Sequence, residues 1–114
     1  MNDSFLSVAA YLARAESFRS RPFPAIECED GFFLSVQASK GHYCSPRSDH
    51  GPWTAVEVGF PSSTVPELLD YKESGDWSKP TESVYPWVPL EVVEQVVAQH
   101  GGIRGPKQLG SGVP

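Results

Sequence analysis

Apolar residues near the start of the chain recur at the spacing of an amphipathic helix. Residues 2–4 are Asn, Asp and Ser, which are favoured N-cap residues. The apolar positions that follow share one helical face: Phe5, Val8, Ala9, Leu12, Ala15 and Phe18. Because the residue before a proline avoids the helical region, this first helix is predicted to end before Pro22.

Two segments on either side of a Glu-Asp-Gly sequence alternate in the manner of a β-hairpin. Residues 25–28 and 32–38 form its arms, and residues 29–31 supply the positive-φ position that a tight turn needs. One face of the second arm is predicted to be buried in the core: Phe32, Leu34, Val36 and Ala38.

A third strand is predicted over residues 53–60, after a long loop without periodicity. The loop, residues 39–52, is rich in Ser, Gly, Pro, His and Asp. The alternation in the strand places one set of side chains on a single face: Thr54, Val56, Val58 and Phe60. Trp53 falls on the opposite face in this pattern.

The next segment, residues 61–72, fits either a short helix that begins near Pro66 or an extended chain along a sheet edge, and the extended form is preferred. Residues 73–82 are typical of an exposed loop. Residues 83–88 predict an edge strand, since an edge position tolerates Pro86.

Pro89 precedes a second amphipathic pattern that ends at a pair of glycines, residues 101–102. The predicted buried side of this helix consists of Leu90, Val93, Val96 and Val97. The remaining residues, 104–114, are polar and rich in Gly and Pro, so they are predicted to form a flexible tail.

These elements predict one α+β domain over residues 1–103, which is an ordinary length for a single core. An antiparallel sheet of three to five strands with the N-terminal and C-terminal helices packed on one face buries the apolar stripes most simply. The longest apolar stretch, residues 90–97, contains two glutamates and is much shorter than the roughly 18 residues of a membrane span. The start has no basic segment typical of a signal peptide, so a cytoplasmic protein without membrane association is expected.

Negative charge is concentrated in the middle of the chain. The net charge is −5, yet residues 1–47 balance five acids with five bases. Residues 48–94 hold nine acids against Lys72 and Lys79, a net of −7. Direct binding to nucleic acid is therefore disfavoured, because Lys and Arg supply most of that affinity.

The same carboxylates suit a protein partner that is built to bind DNA, since complementary charge speeds association and excludes wrong partners. The predicted acidic face consists of Glu67, Asp70, Glu73, Asp76, Glu82, Glu91 and Glu94. Three aromatic residues are its predicted anchors: Tyr71, Trp77 and Trp87. A plain solvated acidic surface is the alternative.

The loop is also the place where reactive side chains are most concentrated. Together with Cys28, the residues His42, Cys44 and His50 offer the ligand types of tetrahedral zinc, but not the usual spacings. Cys44 near histidines is the candidate nucleophile of a small enzyme, although no catalytic motif accompanies it. We therefore predict no catalytic residue, metal or cofactor, and expect the two cysteines to be free thiols unless the fold joins them.

Several stretches resemble small accessory proteins of bacteriophages and prophages. They are residues 35–39 (Ser-Val-Gln-Ala-Ser), 42–47 (His-Tyr-Cys-Ser-Pro-Arg), 51–52 (Gly-Pro) and 56–62 (Val-Glu-Val-Gly-Phe-Pro-Ser). The similarity covers about residues 32–102 and carries over no functional residue.

The resemblance implies a setting in which short, acidic proteins counter host defence, as anti-CRISPR proteins do. The expected function is that of an inhibitor in the bacterial host cytoplasm. It would block a nucleic-acid-binding CRISPR effector subunit through a surface that mimics DNA. A small enzyme or zinc protein that uses the His42, Cys44 and His50 loop is one alternative, and a phage structural or assembly component is another.

Overall fold

The structure, a computed structural model, describes residues 7–17, 22–72 and 79–107. Its regular elements are the helices α1 (Val8–Ser17) and α2 (Leu90–Gln99) and the strands β1 (Ile26–Cys28), β2 (Phe33–Gln37), β3 (Ala55–Gly59), β4 (Val84–Pro89) and β5 (Ile103–Pro106). Among the described residues between β3 and β4, Pro66–Tyr71 and Pro80–Glu82 form 3₁₀ helices. No helix in the described ranges has the length and apolar character needed to cross a membrane.

The five strands form one antiparallel sheet in the order β4-β3-β2-β1-β5. Buried side chains alternate with half-exposed ones along β2 and β3, so that Leu34, Val36, Val56 and Val58 share one face with the buried sides of both helices. The predicted α+β fold, an antiparallel sheet with α1 and α2 on one face, is confirmed.

Helix α1 begins at Val8, with Ser7 as its N-cap: the Ser7 hydroxyl accepts a hydrogen bond from the Ala10 amide at 3.0 Å. The predicted caps at residues 2–4, and also Phe5 and Phe18, lie outside the described residues. The buried side of α1 consists of Val8, Tyr11 and Leu12, and Ala9 is exposed, contrary to the prediction. Tyr11 takes the place of Ala9 on the buried side of α1, because its ring packs in the core while its hydroxyl donates to the Pro24 carbonyl at 3.1 Å.

A second cap for α1 comes from the other end of the chain. The Glu94 carboxylate accepts hydrogen bonds from the amides of Val8, at 2.8 Å, and Ala9, at 3.2 Å. These amides belong to the first turn, which has no partner within the helix, and the positive end of the helix dipole favours a negative charge there. Glu94 therefore ties α2 to the start of α1.

Strand β3 is shorter than the predicted residues 53–60. Of the four residues that alternation places on one face, Val56 and Val58 are buried in the core, while Thr54 and Phe60, which lie outside the strand, are exposed. Trp53, predicted for the opposite face, is only 5% exposed. Its ring meets Phe23 edge to face with the ring centroids 6.1 Å apart. The chain turns before β3 begins, so the alternation of the strand does not extend back to Trp53.

The preferred extended form of residues 61–72 is wrong, since Pro66–Tyr71 is a 3₁₀ helix. Proline is favoured in the first helical turn, where its missing amide costs nothing. Helical winding also inserts Leu68 into the core, where it is fully buried. A short segment with one such anchor has too little periodicity for the sequence to distinguish the two forms.

The predicted tail boundary at residue 104 falls inside a strand. Gly101 and Gly102 adopt positive φ values of 92° and 91°, which turn the chain after α2. Ile103 is then buried, and β5 pairs with β1 to complete the sheet. Residues 104–106 therefore belong to the domain, and residues 108–114 lie outside the described residues.

The close packing of Gly51 under Trp53 predicts a destabilising substitution. A methyl group added at Gly51 would lie 2.8 Å from a ring carbon of Trp53, a contact shorter than packed atoms allow. Because the Trp53 ring also packs against Phe23, it cannot move freely to make room, and Gly51→Ala should lower the free energy of unfolding by about 1–3 kcal/mol in urea titrations. Gly41→Ala in the same loop, where the nearest atom is 3.7 Å away, is the control. Equal stability of the two variants would contradict the packing argument.

The cap that Glu94 provides predicts a second effect on stability. Glu94→Ala leaves the Val8 and Ala9 amides without their carboxylate and should cost about 1–2 kcal/mol, as the loss of an N-cap does. Glu91→Ala, on an exposed position of the same helix, should change stability by no more than about 0.5 kcal/mol. Urea denaturation of both variants checks the difference, and a Glu94 effect no larger than that of Glu91 would show that the bridge is not stabilising.

Candidate functional site

The structure describes five of the seven residues predicted for the acidic face, and they do not form one row. Glu73 and Asp76, as well as the predicted anchor Trp77, lie outside the described residues. Glu67 contacts Gln99, the last residue of α2, whereas Glu91 lies in the first turn of that helix. At about 1.5 Å per residue, these two ends of α2 are about 12 Å apart.

Two of the five carboxylates have partners inside the domain. Glu94 caps α1. Glu67 accepts a hydrogen bond from the Gln99 side-chain amide at 3.0 Å, and this bond is the main reason why the pKa of Glu67 is lowered. Both residues therefore serve the packing of α2 as well as adding to the surface charge.

The other three carboxylates are presented by short elements at the surface. Asp70 lies in the first 3₁₀ helix, Glu82 in the second and Glu91 at the start of α2, and all three are exposed. They are the members of the predicted face that are most accessible to a partner.

The predicted aromatic anchors differ in their surroundings. Tyr71 is half-buried and packs against the core, so its ring is part of the fold. Trp87 is 48% exposed, which is unusual for so large an apolar side chain. It contacts Tyr43, with ring centroids 4.9 Å apart and ring planes at 39°.

A bulge in β4 places Trp87 on the surface. Val56 pairs with Val88 and Val58 pairs with Tyr85, so two residues, Pro86 and Trp87, lie opposite the single residue between these valines on β3. Trp87 adopts a φ of 51°, in the left-handed region that costs a residue with a side chain about 1–2 kcal/mol. Such strain is often found where a structure presents a side chain for binding.

Tyr43 and Arg47, from the loop of residues 39–52, complete this surface on the outer face of the sheet. Glu57 alternates with the buried valines of β3, so its carboxylate lies on the face opposite the helices, where it accepts a hydrogen bond from the Tyr43 amide at 2.9 Å. The Tyr43 carbonyl in turn accepts from the Trp87 amide at 3.2 Å. Arg47 lies over the Tyr43 ring, 5.8 Å from its centroid.

We call Tyr43, Arg47 and Trp87 the aromatic cluster. Its three residue types are those most enriched at the energetic centres of protein interfaces. Sequence reasoning identified Trp87 and missed the other two, because they lie in a loop without periodicity. Pro86 within a predicted strand was the one signal of an irregularity at this place.

The reactive side chains of the same loop form hydrogen bonds within the domain. A 2.7 Å hydrogen bond joins the Ser39 hydroxyl and Nδ1 of His42, and the buried Cys44 thiol donates to the Ser39 carbonyl at 3.3 Å. His50 contacts Glu16 on α1, with Nδ1 2.7 Å from the carboxylate. Within the described ranges, no three residues of the His, Cys, Asp and Glu types come together as a metal site.

The two cysteines are free and buried, as predicted for unpaired thiols. Cys28 lies in β1, and its burial, together with the nearby Asp30, Glu27 and Glu29 carboxylates, raises the pKa of its thiol to about 11. A thiol with that pKa stays protonated at neutral pH and is a weak nucleophile and metal ligand.

The described surface therefore offers binding groups: the aromatic cluster on the outer sheet face, and exposed carboxylates on the 3₁₀ helices and α2. Comparison of the chain with protein-family models, with curated proteins and with solved structures finds no match. The resemblance to phage accessory proteins consequently stays a prediction from the sequence.

Proposed function

We propose that this chain acts by binding a protein partner and blocking that partner's DNA-binding surface. The observation that carries the proposal is the exposed Trp87, which a strained bulge holds against Tyr43. Because its surroundings already fix its position, the Trp87 side chain would lose little conformational entropy on binding. The aromatic cluster would supply the buried centre of the interface.

The charge of the chain supports a basic partner. Asp70, Glu82 and Glu91 are exposed, and the segment that contains them has a large excess of acids. Carboxylates repel the phosphates of DNA but attract the Lys and Arg residues of a channel that binds DNA. Complementary charge of this kind raises the association rate and makes it sensitive to salt.

Together with the sequence resemblance, these features support a phage-type inhibitor of host defence. The target class that we propose is a nucleic-acid-binding subunit of a CRISPR surveillance complex. In this mechanism the inhibitor makes and breaks no covalent bond. It competes with DNA for the same basic surface, so saturating DNA should displace it.

Charge reversal tests the electrostatic part of the proposal. The protein, immobilised and exposed to lysate of a bacterium with CRISPR defence, should capture a basic nucleic-acid-binding protein that excess duplex DNA releases. Asp70→Lys and Glu82→Lys should each weaken that capture about tenfold at low salt, because each replaces attraction with repulsion. Glu29→Lys, beside β1 and near the other edge of the sheet, makes the same change in net charge and should have little effect. Equal capture by all variants, or capture that DNA does not release, would contradict DNA mimicry.

Replacing Trp87 by glycine tests the aromatic anchor separately from stability. Glycine adopts a φ of 51° without strain, so Trp87→Gly should unfold within about 1 kcal/mol of the parent in urea while partner capture falls about tenfold. Phe60→Gly is a matched control, because Phe60 is 54% exposed and has the same φ of 51°. Equal losses of capture in the two variants would remove the special role of Trp87.

Recovery of the protein in purified phage particles would favour the assembly alternative.

A further inference from the structure

A second surface lies on the helical side of the domain, where a groove separates α1 from the start of α2. Its apolar lining consists of Leu12, Pro52, Trp53 and Leu90, and it encloses about 240 Å³. Trp53 and Leu90 also line a more open depression of about 340 Å³ beside Thr54, so the groove continues past them. The more enclosed part, at about 240 Å³, is smaller than the roughly 300–1,000 Å³ typical of pockets for drug-sized ligands, and it suits one or two side chains of a peptide.

The floor of the groove is fixed before any ligand arrives. Trp53 packs edge to face on Phe23, and its indole N–H donates to the Ser48 carbonyl at 3.0 Å. Gly51 allows the chain to pass directly against the ring. Because these contacts fix the position of the Trp53 ring, the apolar floor would need no rearrangement to accept a side chain, which favours binding.

Carboxylates border the groove at both ends. Glu16 lies at one end, where it contacts His50 and accepts from the Gly51 amide at 3.3 Å. Glu91 and Glu94 line the other end, and neither Lys nor Arg occurs among the described residues that line either part. Glu94 caps the first turn of α1, so α1 spans the distance between the two acidic ends.

The length of that span limits the kind of segment that fits. From Ala9 to Glu16 the helix rises by about 10 Å, at about 1.5 Å per residue. An extended peptide covers the same distance in about three residues. Because the side chains of an extended chain alternate between its two faces, side chains that all face the groove lie at alternate positions, and the first and third of them are about 13 Å apart. Two cationic side chains four positions apart in a peptide would therefore reach the two acidic ends while an aliphatic side chain midway between them enters the groove.

We propose that this groove binds an extended segment of a protein partner that carries an aliphatic residue flanked by Lys or Arg. Apolar burial against Trp53 and Leu90 would supply affinity, and the carboxylates would exclude acidic segments. The groove lies on the helical side of the sheet and the aromatic cluster on the outer side. The site therefore does not rest on the proposed inhibitory function.

Selection from a random heptapeptide display library tests the inference without assuming a partner. The enriched peptides should share Leu, Ile or Met with Lys or Arg two positions before it and two positions after it. Binding of a synthetic consensus peptide, followed by amide chemical shifts, should perturb Ala13, Trp53 and Leu90. A library without enrichment, or an enriched consensus that is acidic or lacks cationic residues, would overturn the proposal.

Two variants make the test specific to the groove. Ala13 is exposed on α1 and lines the groove, so Ala13→Trp should fill it and weaken the consensus peptide about tenfold. Ala10→Trp places the same side chain on an exposed position of α1 outside the lining and should bind as the parent does. Glu91→Lys, which changes no core residue, should also weaken binding about tenfold. Unchanged affinity in both Ala13→Trp and Glu91→Lys would overturn the site.

The test of the groove can fail or succeed independently of the test of the proposed function. Trp87→Gly should leave peptide binding unchanged, because Trp87 lies outside the groove. Loss of peptide binding in that variant would contradict the assignment to the groove. If no peptide is enriched while partner capture still depends on Trp87, the groove proposal fails and the proposed function stands.

Discussion

The hydrogen bonds between Glu94 and the start of α1 join the two ends of the fold. Each helix has ten described residues, a length that is marginal in isolation. Packing on the sheet stabilises both, and the Glu94 carboxylate fixes the position of one relative to the other by satisfying the Val8 and Ala9 amides. The groove between the helices follows from this arrangement, because the bridge sets its width at one end.

Most of the fold could be predicted from periodicity because its long elements have clear faces. Both helices, the hairpin and the third strand follow from apolar spacing, and glycine marks the turn at Gly31 with a φ of 96°. Errors occurred where a single tertiary contact decides the outcome. Leu68 enters the core from a 3₁₀ helix, and Ile103 anchors a strand in a segment rich in glycine and proline. Neither segment is long enough for its pattern to reveal the contact.

The candidate site was less accessible to sequence reasoning. The excess of acids in one part of the chain was visible, but charge alone does not show which carboxylates the fold uses for itself. Glu94, Glu67 and Glu57 all accept hydrogen bonds from within the domain. The surface available for a partner is therefore smaller than the count of acids suggests. Tyr43 lies in a loop whose path depends on long-range hydrogen bonds, and no local pattern in the sequence reveals these bonds.

The hydrogen bond that joins the loop of residues 39–52 to β4 is between main-chain groups: the Trp87 amide donates to the Tyr43 carbonyl. The path of the backbone is consequently insensitive to which side chains occupy these two positions, apart from the preference of a positive φ for glycine at residue 87. The groups that hold the backbone at this place are therefore distinct from the side chains that would contact a partner. A change of partner would require different aromatic or charged side chains at these two positions, while the path of the backbone stays the same. This face is therefore well suited to diversification by selection or by design.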